Sequence, residues 1–382
     1  MAQLLPKRYL SRRSPVLATN VVSTSHPLAS QAGLRILERG GNALDAALAA
    51  AITLTVVEPT GNGLGSDAFC IISDGELRHG LNASGRSPAG WSPERFEQLR
   101  TMPERGFESV TVPGAVAGWV DLSRRFGSLP FEELFGPAIS YAEQGFIVTP
   151  MIGELWCRGA AILKDFPGFG EAFMPGGRAP QVGELFVNTA LARSLRLIAE
   201  TEGKAFYEGE LAECIAAFAA QHGACLTVED LAAHRNEWCG TIEQPFATSS
   251  LHEIPPNGQG IAALMALGIL QNFGIEELDP DGGEAIHLQI ESIKLALADL
   301  DRHIADPAHM GMTTRDLLDP NYLNERALLI DRHRAQVFGA GAPVQGGTVC
   351  LAVGDRRGMM VSFIQSNYSG FGSGIVVPGT GI

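Results

Sequence analysis

The stretch Gln345-Gly346-Gly347-Thr348-Val349-Cys350-Leu351-Ala352-Val353 carries the reading of this chain. A glycine pair stands directly before a threonine, and the threonine opens an apolar, β-prone run. The turn Asp355-Arg356-Arg357-Gly358 follows, then a second run from Met359 to Ile364. This pattern predicts a hairpin whose first strand begins at Thr348. If the chain is cut between Gly347 and Thr348, Thr348 carries both a hydroxyl and a free α-amine. That pair is a nucleophile with its own built-in base, the N-terminal-threonine form of the Ser/His arrangement. Taken alone, the same residues also describe a plain threonine at a strand start after a glycine turn.

Composition narrows the classes. At 382 residues, 45% hydrophobic and 18% charged, the chain can bury a sizeable core, as one large domain or two. Its 45 glycines cluster in short turn-like groups, which suits an α/β enzyme with many tight connections. The net charge is −14 and no Lys/Arg run exceeds a pair, so a nucleic-acid partner is not expected. Residues Met1 to Asn20 lack an apolar stretch of signal-peptide length. The longest apolar run, Ala46 to Val57, is too short to span a bilayer, so no membrane association is expected. Six cysteines (Cys70, Cys157, Cys214, Cys225, Cys239, Cys350) show no CxxC and no metal spacing. They are expected to be reduced and mostly buried, as in a cytoplasmic protein.

Along the chain, Val16 to Ser23 is β-prone and a helix is predicted from Leu28 to Arg39. Gly40-Gly41 ends it, and Asn42 caps a second helix from Ala43 to about Leu54. This second helix is apolar on every side and therefore buried. Asp45 within it is either a first-turn acid that suits the helix dipole or a functional carboxylate. Next comes the loop Thr60-Gly61-Asn62-Gly63-Leu64-Gly65-Ser66-Asp67. It is not a phosphate-binding P-loop. It is either a tight corner or a loop lining a substrate pocket. A hairpin is predicted over 68–82. Helices are predicted from Ala115 to Phe126, Phe131 to Gln144, Ala190 to Thr201, Glu210 to His222, Gly260 to Asn272 and Glu284 to Arg302. The segment from Gln336 to Gly347 is polar and rich in Gly, Ala and Pro, as an accessible processing site needs.

Several runs together resemble the gamma-glutamyltranspeptidase family of N-terminal-nucleophile hydrolases. They are Gly40-Gly41-Asn42-Ala43-Leu44-Asp45-Ala46-Ala47, Val57-Glu58-Pro59, Thr111-Val112-Pro113-Gly114-Ala115-Val116-Ala117-Gly118, and Pro137-Ala138-Ile139 with Glu143-Gln144-Gly145-Phe146. Ala205-Phe206-Tyr207-Glu208-Gly209, Pro255-Pro256-Asn257-Gly258-Gln259-Gly260, and Phe371-Gly372-Ser373-Gly374 to Gly379-Thr380-Gly381-Ile382 also fit. They fall in family order over nearly the whole chain.

The resemblance implies a precursor that cuts itself between Gly347 and Thr348, making Thr348 the catalytic N-terminus. Ser366 matches a second hydroxyl that hydrogen-bonds the nucleophile. The implied fold is α/β (α+β), a four-layer αββα sandwich. Residues 1–347 would be the large-subunit part and 348–382 the opening of the small subunit. The remaining pocket and oxyanion-hole residues would lie beyond Ile382, leaving the fold incomplete at its C-terminus. No metal or organic cofactor is implied. The implied partners are a small-molecule amide or γ-glutamyl substrate and the chain's own small subunit, assembled as a dimer of large/small heterodimers.

Three departures from the family pattern matter. The usual Thr-Thr-His after the cut is here Thr348-Val349-Cys350, with Cys350 on the same strand face as Thr348 and expected to be a core thiol. Tyr368, next to Asn367, stands where transpeptidases commonly have Asn. Ser84 stands where they have the Arg that holds the glutamyl α-carboxylate, in the stretch Ser84-Gly85-Arg86-Ser87-Pro88. The substrate-binding candidates are thus Ser84, Arg86, Asn367 and Tyr368. Arg86, two residues on in an extended segment, points the same way as Ser84, about 7 Å along the chain. This pattern looks more like the cytoplasmic gamma-glutamyltransferase-like branch, which includes oxamate amidohydrolases. It leads to the expectation that a small carboxylate-bearing amide is turned over better than glutathione.

Overall fold

The computed structural model describes residues 16–338 and 349–382. Gly347, Thr348 and the stretch 339–347 lie outside the described residues. Six antiparallel strands form the central sheet: β1 (Val21–Ser23), β2 (Asp67–Ser73), β3 (Arg78–Ala83), β4 (Glu237–Trp238), β5 (Val349–Gly354) and β6 (Met360–Ser366). Their order is β1-β5-β6-β2-β3-β4. The hairpin predicted around Asp355 is therefore the middle of the sheet, and it draws β1 and β2, from the far end of the sequence, to its two sides.

Strand alternation sorts the side chains. Ala68, Cys70 and Ile72 of β2, Leu351 and Val353 of β5, and Val361 and Phe363 of β6 are buried on the inner face. Helices α1 (Pro27–Glu38) and α2 (Ala43–Val57) pack together there, α2 directly against β5 and β6. All 15 residues of α2 are buried, as its unbroken apolar composition requires. Helix α3 (Ala115–Phe126) covers β2 and β3. A second apolar cluster joins helices Ile261–Leu270, Gly283–His303 and Pro320–Ala327. No helix among the described residues is long and apolar enough to cross a membrane.

Asp45 resolves to a structural role. Its carboxylate accepts from the Asn42 backbone N–H at 3.0 Å and the Ser128 hydroxyl at 2.6 Å, while Asn42 accepts from the Asp45 N–H at 2.9 Å. This is a capping box with a tertiary anchor added. Asp45→Ala leaves the buried Asn42 N–H without a partner and releases the tie to exposed Ser128, so a loss of about 1–3 kcal/mol in folding free energy is expected in urea denaturation.

The structure corrects two expectations. Cys350 is exposed, because Leu351 and Val353 take the inward positions of β5 and force Cys350 outward. Of the six free cysteines only Cys70 is buried. Another difference lies in the predicted helix from Phe131 to Gln144, which is a 3-10 turn, Phe131–Phe135, followed by helix Gly136–Gln144. Pro137 has no N–H to donate and so fits only the first turn of a new helix.

Candidate active site

The outer face of the sheet holds the polar chemistry. Asp67 at the start of β2 is the register partner of Ser366 at the end of β6, and Val349 pairs with Gln365. The first described residue of β5 thus lies at the Ser366 end of its neighbour. Beyond β6 the chain turns back over the glycine-rich loop: the Asn367 N–H donates to Gly61 O at 3.2 Å and the Phe371 N–H to Thr60 O at 3.0 Å. Tyr368 adopts a positive φ of 75°, with its N–H on the Ser366 hydroxyl at 2.8 Å. The Arg105 guanidinium holds this turn from behind through the carbonyls of Ser369, Gly370 and Gly372.

Between these two loops lies a cavity of about 210 Å³. Its walls are largely apolar, with Leu64, Phe107, Val110, Pro113, Phe173 and Phe371 among them. Ser366, Asn367, Tyr368, Asn62 and Asp67 supply polar groups. Of the two alternatives for the 60–67 loop, pocket lining is the one realised. Ser84 and Arg86 are not among the lining residues. The Ser84 hydroxyl donates to Asn82 Oδ1 at 2.7 Å and accepts from Asn257 Nδ2 at 3.1 Å. Arg86 is exposed and fixed through its backbone carbonyl, which accepts from the Val112 N–H at 3.0 Å. An exposed guanidinium outside the cavity should matter little. Arg86→Ala is expected to change kcat/KM by less than about threefold, against the roughly 30- to 1,000-fold loss of a buried bidentate anion contact.

Sequence reasoning passed over two lining residues. Asn62 is buried, and the donor sense of its amide is fixed by a relay. The indole N–H of Trp119 can only donate, and it does so to Gln365 Oε1 at 2.9 Å. Gln365 Nε2 must then face Asn62 Oδ1, at 3.4 Å, which leaves Asn62 Nδ2 as a buried donor without a partner. Asn367 Oδ1 is likewise a buried acceptor without a partner. Asp67 is the other omission. Burial raises its carboxyl to about 7, and the backbone N–H groups of Gly85 and Gly114 offset only part of that. Only glycine lets these amides come so close: a Cβ at Gly85 would fall 1.4 Å from Val112 O, and at Gly114 2.0 Å from Ala83 O. So the 84–88 segment reaches Asp67 through a backbone amide. The signal was present in the sequence, since Asp67 is the sole charged residue between Glu58 and Asp74.

The described residues contain no group of three or more His, Cys, Asp or Glu suited to a metal. The chain belongs to the gamma-glutamyltranspeptidase family, whose model matches residues 29–382. Among curated relatives, the oxamate amidohydrolase proenzyme of Klebsiella pneumoniae is 38% identical, over 94% of this chain and 68% of its own length. The glutathione hydrolase-like YwrD proenzyme of Bacillus subtilis is 36% identical, over 97% and 71%. Among solved structures, cephalosporin acylase from Bacillus halodurans superposes with a TM-score of 0.91 at 44% identity, covering 99% of this chain and 72% of that one.

Proposed function

We propose that this chain belongs to the precursor of a self-processing, amide-cleaving enzyme of the gamma-glutamyltransferase-like kind, with Thr348 as nucleophile. The observation that carries the reading is the convergence of Ser366, Asn367, Tyr368 and the 60–67 loop on one cavity, at the Val349 end of β5. In processing, the Thr348 hydroxyl attacks the Gly347 carbonyl, the acyl group shifts from nitrogen to oxygen, and water hydrolyses the ester. The freed α-amine then serves as base. Thr348 Oγ attacks a substrate amide carbon and passes its proton to the amine. The C–N bond breaks, the leaving amine takes that proton, and water or an acceptor amine releases the acyl group. Ser366 orients the nucleophile, and Asn367 and Tyr368 meet the acyl group.

The proenzyme names of relatives support processing into subunits, and the cut proposed here would leave a large part ending at Gly347 and a small part opening at Thr348. In the family's four-layer form, a second sheet would stack on the outer face, where Phe69, Ile71 and Ile364 are only partly covered. Six free cysteines are in keeping with a cytoplasmic setting. An oxamate-type amidohydrolase is the second reading, favoured by Ser84 in place of the usual Arg and by the 38% identity to an oxamate amidohydrolase. Intact mass and N-terminal sequencing of the mature protein test the main reading: a new N-terminus at Thr348 supports it, and an uncut active enzyme overturns it. A stable uncut and inactive protein would instead be a binding relative. Assays on oxamate and glutathione separate the two enzyme readings.

A further inference from the structure

Residues 331–338 form an arm along helix Gly283–His303, tied to it at Asp331 O by His287, at Arg332 by Glu284 and at Gln336 by Glu291. Residues 331–335 of this arm are exposed, and Val337 is 94% exposed; Gln336 and Phe338 are half-buried. Gln336 is held through backbone and side chain alike. Its N–H donates to Glu291 Oε2 at 3.0 Å, and its carbonyl accepts from Lys294 Nζ. Its side chain accepts from the Asp331 N–H at 2.6 Å and donates to Leu329 O at 2.9 Å. Lys294 Nζ also donates to Glu291 Oε1 at 2.6 Å and lies 5.4 Å from the centre of the Phe338 ring.

Glu291 is only 1% exposed. A buried ion pair is costly to desolvate, and apolar side chains of like volume often serve a fold as well or better. What this pair adds is position. Carboxylate and ammonium take the N–H and the C=O of one residue, which fixes its place and its direction together. Beyond Phe338 only residues 339–347 lead to Thr348, and on the far side Val349 is paired with Gln365 in the central sheet. A distorted backbone relaxes unless the chain around it over-determines it. Loop length by itself decides little, because closure entropy changes slowly with length. Resting on the self-processing function proposed above, we propose that Glu291 and Lys294 are positioning residues for the cut: they anchor the upstream arm, so that the backbone distortion required at Gly347–Thr348 is not lost as slack. Turnover of substrate after the cut does not depend on them.

The test follows the full-length precursor, made by cell-free translation, by intact mass over time. The double variant Glu291→Gln/Lys294→Met, which leaves no unpaired buried charge, should be cut about tenfold more slowly than the wild type. Lys294→Arg, which keeps charge and reach, should stay within about threefold. Gln336→Pro removes the N–H that Glu291 accepts without touching the helix, and should slow the cut about as much as the double variant; it serves if the double variant does not fold. Asp299→Asn is the control: it breaks the buried pair with Arg326, 2.9 Å apart, on the same helix but away from the arm, and should be cut within about twofold of the wild-type rate. Once cut to completion, every variant should match the wild-type kcat/KM on an anilide substrate within about twofold. A double variant or Gln336→Pro that is cut at the wild-type rate overturns the proposal. So does an Asp299→Asn chain slowed as much as the double variant, or a kcat/KM that falls together with the processing rate, since either makes the pair a matter of general stability. A wild-type precursor that is never cut overturns the self-processing reading and the anchor with it, whereas a wild type that is cut while the arm variants keep pace overturns the anchor alone.

Discussion

Thr348→Ala should leave the precursor as one uncut chain and lower amide cleavage by at least about 10⁴-fold. The effect is this large because, in the proposed mechanism, one hydroxyl serves both reactions. There it attacks the Gly347 carbonyl and, after the cut, the substrate, with the amine released by the first reaction acting as base for the second. Removing it takes away the nucleophile and prevents the base from forming. Thr348→Ser keeps the hydroxyl and should still be cut, more slowly, with partial activity. Gly346 and Gly347 place no Cβ in the way of the backbone distortion that the acyl shift requires. The measurement is intact mass over time together with turnover of an anilide substrate. If Thr348→Ala is still cleaved at the same bond, Thr348 is not the nucleophile of processing, and a protease or another hydroxyl must be sought.

Asp67→Asn should stabilise the fold at pH 8 and leave it nearly unchanged near pH 4. The sign follows from the direction of the shift. Asp67 titrates at about 7 in the folded chain against an ordinary 3.8, so the folded state holds the proton more tightly than the unfolded state. Its contribution to stability is fully present below 3.8 and is lost as pH rises through 7, where a partly desolvated charge must be carried. An amide side chain fills the same space, can accept from the Gly85 and Gly114 N–H groups, and never ionises. The difference between the two proteins should therefore open between pH 4 and 7 and level off above, at roughly 2–4 kcal/mol. Urea denaturation at pH 4, 6 and 8 reads it. An Asn variant that is equally stable, or less stable, at pH 8 would make Asp67 a structural anchor whose ionised form costs the fold nothing. A residue that costs stability in its ionised form, on the wall of a cavity, is the trade expected at a functional position.

Local elements were legible in the sequence because their causes are local. The all-apolar run of α2 with Asn42 at its head, the glycine pair that ends α1, and the Asp355 turn between two apolar runs each fix a helix or hairpin from neighbours a few residues away. The family was legible too, since many short runs in one order are specific even where each run is weak, and the match spans residues 29–382. Strand alternation alone misjudged Cys350: it gives the two faces of a strand, but the packing of α2 on one of them decides which face is the inside. The placing of the site was decided only in three dimensions. Arg86 attracted attention as a lone cation, yet whether a side chain enters a cavity depends on the path of segments far away in sequence, here 112–114, which hold 84–86 by their backbone. Asp67 and Asn62 looked like ordinary loop residues. Their chemistry comes from burial beside β6 and from a donor relay that starts at Trp119, and neither neighbour is close in the chain. Sequence fixes which groups are available and the local conformations they favour. Desolvation, and the partner each polar atom finds or lacks, belong to the folded packing.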